Sequence, residues 1–197
     1  MNIFVLHPSP KKSARWHADK HVVKMLLESL QMLYSAHWVA SYPSLLHHRS
    51  AIAISRMQKT LPLPPALRYL GGGAPFQKKN PEHRGFRPVH LHHPCTIWVR
   101  ASKENYQWLC RLALCLAEEH RYRWPLNPVS SCEAHAVWLS NHIPALPSIP
   151  LTPFAVAMPP MYKRGDPIRS YRTFYSGSKQ DRGITNRYTK RNRPHWL

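Results

Sequence analysis

The hydrophobic pattern is clearest between Ser13 and about Ala40, which reads as one long amphipathic helix. Val22, Val23, Leu26, Leu30 and Leu33 form its apolar side. His17, His21, Lys24, Glu28 and Gln31 follow at steps of four, three, four and three, and at 3.6 residues per turn they share one polar stripe. Ser13 is a suitable N-cap and Tyr42-Pro43 a stop. Ahead of this helix, Met1 to Leu6 is a short apolar run, predicted as a buried strand or extended arm closed by His7-Pro8-Ser9-Pro10. Order returns at Cys95 to Val99, and Ser102 caps a second long helix reaching about Tyr122. Its inward positions are Tyr106, Leu109, Ala113, Leu116 and Ala117, which make it the expected packing partner of the first helix.

Ser130-x-x-Glu133 has the form of a capping box and predicts a third helix ending near Asn141. Asp166-Pro167 supplies an N-cap followed by proline at the first helical position, so a fourth helix is predicted over 167–176, with Gly177 as its stop. It carries Arg169 and Arg172 on one face and Ile168, Tyr171 and Tyr175 on the other or its flank. Residues 43–94 hold Pro62, Pro64, Pro65, Gly71-Gly72-Gly73 and a basic stretch from Lys78 to Arg87, and are predicted as a long exposed loop around one short helix. Six prolines between 143 and 161 exclude regular structure there. The expected fold class is mostly α: a compact helical domain over 1–178 with long Pro-rich loops, and a basic, aromatic C-terminal arm over 179–197 that packs on it or on nucleic acid.

Charge sharpens this picture. Twenty-eight Lys and Arg stand against nine Asp and Glu in 197 residues, a formal charge of +19 spread along the whole chain. Such an excess repels itself unless a polyanion is near, so nucleic acid is the expected partner. Seven Trp, nine Tyr and five Phe exceed what a purely electrostatic binder needs, and rings interleaved with Arg suit base stacking as well as core packing. Cys95, Cys110, Cys115 and Cys132 form no C-x-x-C pair and read as reduced thiols, while no apolar run approaches the roughly 20 residues of a membrane span. A soluble, cytoplasmic protein is expected.

Three constellations could carry chemistry. In the first, Asp19, His21, Lys24 and Glu28 lie together on the early helix; a carboxylate one turn from an amine can orient or deprotonate it, and a Lys of depressed pKa is a Schiff-base nucleophile. The same residues also describe an ordinary exposed Lys24–Glu28 pair. In the second, His17 and His21 with His90, His92, His93 and Cys95 could assemble a zinc site, although the spacing fits no known zinc motif. In the third, Lys163, Arg164, Arg169 and Arg172, with Lys20 and the arm residues Lys179, Arg182, Arg187, Lys190, Arg191 and Arg193, are the expected phosphate contacts. The Gly71-Gly72-Gly73 run lacks a P-loop Lys-Ser/Thr and is only a flexible loop.

Two resemblances follow from particular residues. MNIFVL, Asp19-Lys20-His21-Val22-Val23-Lys24-Met25, His93-Pro94-Cys95-Thr96-Ile97-Trp98, Asn105-Tyr106-x-Trp108, Tyr171-Arg172-x-Phe174-Tyr175 and Arg193-Pro194-His195-Trp196 resemble a family of small uncharacterised proteins of tailed bacteriophages over nearly the whole chain. Residues 1 to about 35 remotely resemble the pyrimidine-dimer DNA glycosylases of the endonuclease V type, through the short apolar start, Ala18-Asp19-x-His21 and a Glu seven residues beyond that His. The second resemblance implies a compact helical fold, an N-terminal amine (Met1 or, after processing, Asn2) that attacks the deoxyribose C1′, Glu28 in support of glycosyl cleavage and imine chemistry, and His21 near the DNA. The expected activity is that of a base-excision enzyme, a glycosylase with AP-lyase activity acting on double-stranded DNA in the host cytoplasm if phage-encoded. Lys24 is the fallback nucleophile and no cofactor or metal is required. The alternatives are a non-catalytic nucleic-acid-binding protein and a zinc-dependent nuclease.

Overall fold

A computed structural model describes residues 1–69, 72–78, 80–126, 131–180 and 186–197. Gly71, Ser130 and Arg182, and the side chain of Lys179, lie outside that description. The fold is mostly α, as the periodicity predicts. Its elements are α1 (Pro10–Arg15), α2 (Asp19–Ser41), α3 (Ala51–Thr60), α4 (Pro65–Tyr69), α5 (Pro94–Ala101), α6 (Lys103–Arg123), α7 (Cys132–Asn141) and α8 (Pro167–Gln180). A small antiparallel hairpin of β1 (Phe76–Gln77) and β2 (Asn80–Arg84) interrupts them, and 3-10 turns stand at Pro43–His47 and Pro160–Tyr162.

The two long helices, α2 and α6, pack against each other as expected, with α1, α5 and α7 laid around them. Leu26, Leu30, Leu33, Leu109, Leu112 and Leu116 are all buried in the common core. The apolar face of α2 differs from its prediction in one place: Val23 is 52% exposed, and Met25 takes the inward position. Ser102 Oγ accepts from the Asn105 amide at 3.0 Å and caps α6, while Asp166 Oδ1 accepts from the Arg169 amide at 2.7 Å and caps α8.

Four expectations are corrected. The first helix is broken: Trp16 to Ala18 leave the helical path, and α2 begins at Asp19 after an extended Ala18. Residues 43–94 contain α3, α4 and the hairpin as well as loop. In the glycine run, Gly73 is packed rather than open, since a Cβ there would come within 2.6 Å of Arg68 O. Gly177 does not end α8; it lies within the helix, and a Cβ would meet the Tyr162 ring at 2.8 Å, so the glycine is needed for a close approach. Residues 143–159 contain neither helix nor strand.

Met1 to Leu6 is an arm that pairs with no strand among the described residues. Ile3, Val5 and Leu6 are fully buried, and the backbone is satisfied by side chains: Leu6 N–H donates to Ser13 Oγ at 3.2 Å, and Leu6 O accepts from Arg172 Nε at 3.0 Å. The chain's end also lies on the domain. Tyr188, Trp196 and Leu197 pack against the core, and Thr189 is held by Asp19. Among the described residues, no helix is long and apolar enough to cross a membrane.

Candidate functional site

The arm brings the first residue of the chain to the middle of α2. The Met1 α-amine lies 3.7 Å from Glu28 Oε2, and the Asn2 amide donates to that same oxygen at 2.7 Å. Lys24 Nζ stands 3.8 Å from the other carboxylate oxygen, one turn earlier. Exposure separates the two amines: the Lys24 side chain is 68% exposed, whereas Met1 and Glu28 retain 3% and 12%. A charge pair screened from water on one side is stronger than the surface pair Lys24 makes.

Asn2 fixes this approach. Its Nδ2 donates to Ala157 O at 2.9 Å, and its Oδ1 accepts from the Ile3 amide at 2.8 Å and from Phe4 at 3.2 Å. Thr96 Oγ1 donates to the Met1 sulfur at 3.6 Å. If the amine were carried by Asn2, it would occupy the position now 2.7 Å from Glu28, so Glu28 faces the free amine in either case.

Two further groups feel the charge of the amine. His93 caps α5, its Nδ1 accepting from the Cys95 amide at 3.2 Å, which leaves the hydrogen of a neutral ring on Nε2. Partial burial lowers its pKa below the usual histidine value, and the nearby amine and His90 act in the same direction against Glu28. His93 is therefore neutral at pH 7. Burial pushes the Cys95 thiol up to about 11, so it is no nucleophile. Tyr171 gives its hydroxyl proton to Ala155 O at 2.7 Å, which makes Cys95 Sγ, 3.7 Å away, the donor in that pair. His93 also lines a cleft of about 460 Å³, with Arg49, Ile54, Gln58, His90 and Leu91 among its walls.

The other expected site residues are distributed differently. Asp19 is separated from the stripe and turns to Arg123 Nη1 at 2.9 Å and to Thr189. Burial alone would raise its pKa; the bonds from Thr189 and Arg123 outweigh that and hold it below the usual range. His21 lies in an aromatic group, its ring 4.8 Å from Phe4 and 4.9 Å from Tyr175. His17 is buried against Ser13 O. Among the described residues, no three His, Cys, Asp or Glu side chains gather as a metal site, so the zinc-nuclease alternative finds no centre there.

Of the expected phosphate contacts, Lys20, Lys163, Arg164, Arg169, Arg187, Lys190 and Arg193 are exposed. Arg172 and Arg191 are half-buried and have partners within the protein. Arg172 reaches inward to Leu6 O, with its guanidinium 5.0 Å from the Trp16 ring, and Arg191 grips both Glu119 oxygens and lies 3.9 Å over Tyr122. Lys190, though exposed, donates to Tyr122 O at 3.2 Å. Sequence reasoning missed His93 as a neighbour of the amine, because it reads as one more member of a His-rich loop. Its place before Pro94-Cys95, an N-cap followed by proline, was the available signal. The chain matches no protein-family model, no curated protein and no solved structure.

Proposed function

We propose that this protein is a DNA glycosylase with AP-lyase activity, in which the N-terminal amine is the nucleophile and Glu28 its proton acceptor. The observation that carries the reading is the 3.7 Å approach of the Met1 amine to a largely shielded Glu28. The deprotonated amine attacks C1′ of an extruded nucleotide, forming N–C1′ as the glycosidic bond breaks and the base leaves with the bonding pair. Glu28 takes the proton shed by nitrogen. The nitrogen lone pair then expels O4′, which takes that proton back from Glu28, to give the iminium; the Glu28 carboxylate removes a C2′ proton as the 3′-phosphate leaves with the C3′–O bonding pair, and water hydrolyses the imine to return the amine.

His93, neutral and with Nε2–H available, donates to sugar or base oxygen. The cleft beside it is large enough for a nucleobase. Lys20, Lys163, Arg164, Arg169 and Arg193 offer exposed cations to the phosphates of double-stranded DNA. The resemblance of residues 1 to about 35 to endonuclease V-type glycosylases points the same way.

Borohydride trapping on duplex DNA carrying an abasic site tests this reading. A covalent complex is expected, abolished by acetylating the N-terminus, and slowed by about 100-fold or more in Glu28→Gln, whose amide still accepts from Asn2 but takes no proton. Lys24→Ala is expected to trap normally. Trapping that survives acetylation transfers the role to Lys24. Tight, salt-sensitive binding with no trapping overturns the enzyme reading in favour of a non-catalytic nucleic-acid-binding protein.

A further inference from the structure

We propose that a row of half-buried rings, His21, Phe4, Phe174 and Tyr162, is a base-stacking platform for an unpaired stretch of DNA strand beside the reacting nucleotide. Phe4 stands 4.8 Å from His21 with ring planes 20° apart, and 5.7 Å from Phe174 at 14°. Tyr162 closes the row 5.1 Å from Phe174, its ring turned 52° from that plane. The four rings come from α2, the N-terminal arm, α8 and the turn before α8, so the fold itself assembles the row. The core beneath is supplied by Tyr171 and Tyr175, which are fully buried and meet Phe4 edge-on, whereas all four members of the row keep partial exposure.

Two features hold the rings there against local preference. Phe4 has φ 37°, in the left-handed region that bulky residues avoid, and Asn2 Oδ1 pins its amide. Gly177 sits inside α8, where glycine is unfavourable, and leaves the space that the Tyr162 ring fills. Cations border both ends: Lys20 and Lys24 beside His21, and Lys163 after Tyr162, all exposed. The exposed acid at that end, Asp166, is engaged as the α8 cap. Rings for bases and cations for phosphates are the chemistry of single-strand binding.

His21 precedes Glu28 by seven residues, about 10 Å along the helix, a span of about three stacked nucleotides at ~3.4 Å each. The inference rests on the proposed function for which strand is presented, but the binding is measured without it. The probes are a fluorescein-labelled single strand of about twelve thymidines and an equally charged strand of tetrahydrofuran abasic units, compared by anisotropy. The full-length protein is expected to prefer the thymidine strand. Phe174→Leu, which keeps an apolar side chain, and Gly177→Ala, which displaces Tyr162 without weakening the helix, should each lower thymidine-strand affinity by about fivefold or more and leave the abasic strand unchanged.

Equal affinity for the two strands, an equal loss on both, or no loss in either variant would overturn the proposal. The same variants are assayed for borohydride trapping. Base preference with no trapping in the unaltered protein would sink the glycosylase reading and leave the platform standing.

Discussion

Arg123 shows how one buried cation organises its surroundings. Its guanidinium is fully buried and donates to Glu119 at 2.8 Å, to Asp19 at 2.9 Å, and to the His17 and Arg15 carbonyls at 2.9 and 3.1 Å. It thereby ties the end of α6 to the break before α2, and through Asp19 and Glu119 to the C-terminal arm. The planar fork suits this set of acceptors in a way that an ammonium cannot match. Arg123→Met is expected to cost about 3–5 kcal/mol in urea denaturation, because the Arg15 and His17 carbonyls lose their donor, while buried Glu119 keeps only Arg191 and Asp19 only Thr189. Arg193→Ala, at an exposed position of the arm, should stay within about 0.5 kcal/mol of the unaltered protein. Comparable losses in both variants would show that net charge, rather than this network, sets their effect.

At the scale of elements, α6 was the most legible: its apolar period and its cap were both present in the sequence. Ser102→Ala is expected to cost about 1 kcal/mol, since the Asn105 amide loses its acceptor, and an unchanged urea midpoint would count against the cap. The break between α1 and α2 was not legible, because no glycine or proline stands at 16–18. Tertiary partners impose it. Arg123 takes the Arg15 and His17 carbonyls, and the Tyr175 hydroxyl accepts from the Ala18 amide at 2.6 Å, so the backbone groups released by the break are satisfied from distant segments. The end of α8 was misread for a similar reason: Gly177 signals a stop locally, while its role is set by Tyr162, fifteen residues earlier. Short elements between 43 and 94 have too few residues for a period to register. Within the candidate site, the Lys24–Glu28 pair followed from helical spacing, whereas periodicity cannot bring residue 1 to residue 28. That meeting entered the reading only through resemblance.

The whole molecule joins a charge of +19 to a buried polar layer, and the combination makes stability depend on pH. His37 Nε2 lies 3.0 Å from the Tyr106 hydroxyl and His135 Nδ1 lies 2.7 Å from that of Tyr34, all in the core between α2, α6 and α7. Burial pushes both histidines down to about 4 from 6.5. Between those values the unfolded chain binds protons that the folded one refuses, so stability is complete above about pH 6.5 and falls as the pH drops toward 4. The loss reaches roughly 2 kcal/mol for each ring by pH 5. His7, His93 and His120, also lowered by burial, act in the same direction. Asp19 and Glu119 do not explain a loss in this window, because their bonds to Arg123, Thr189 and Arg191 hold them below the ordinary carboxylate range despite burial. Urea denaturation at pH 7.5 and 5.0 in fixed salt is therefore expected to show a lower midpoint at pH 5.0, with most of the change complete before the carboxylates titrate. A midpoint that holds to pH 5 and then collapses near pH 4 would assign acid sensitivity to the carboxylate network around Arg123 instead.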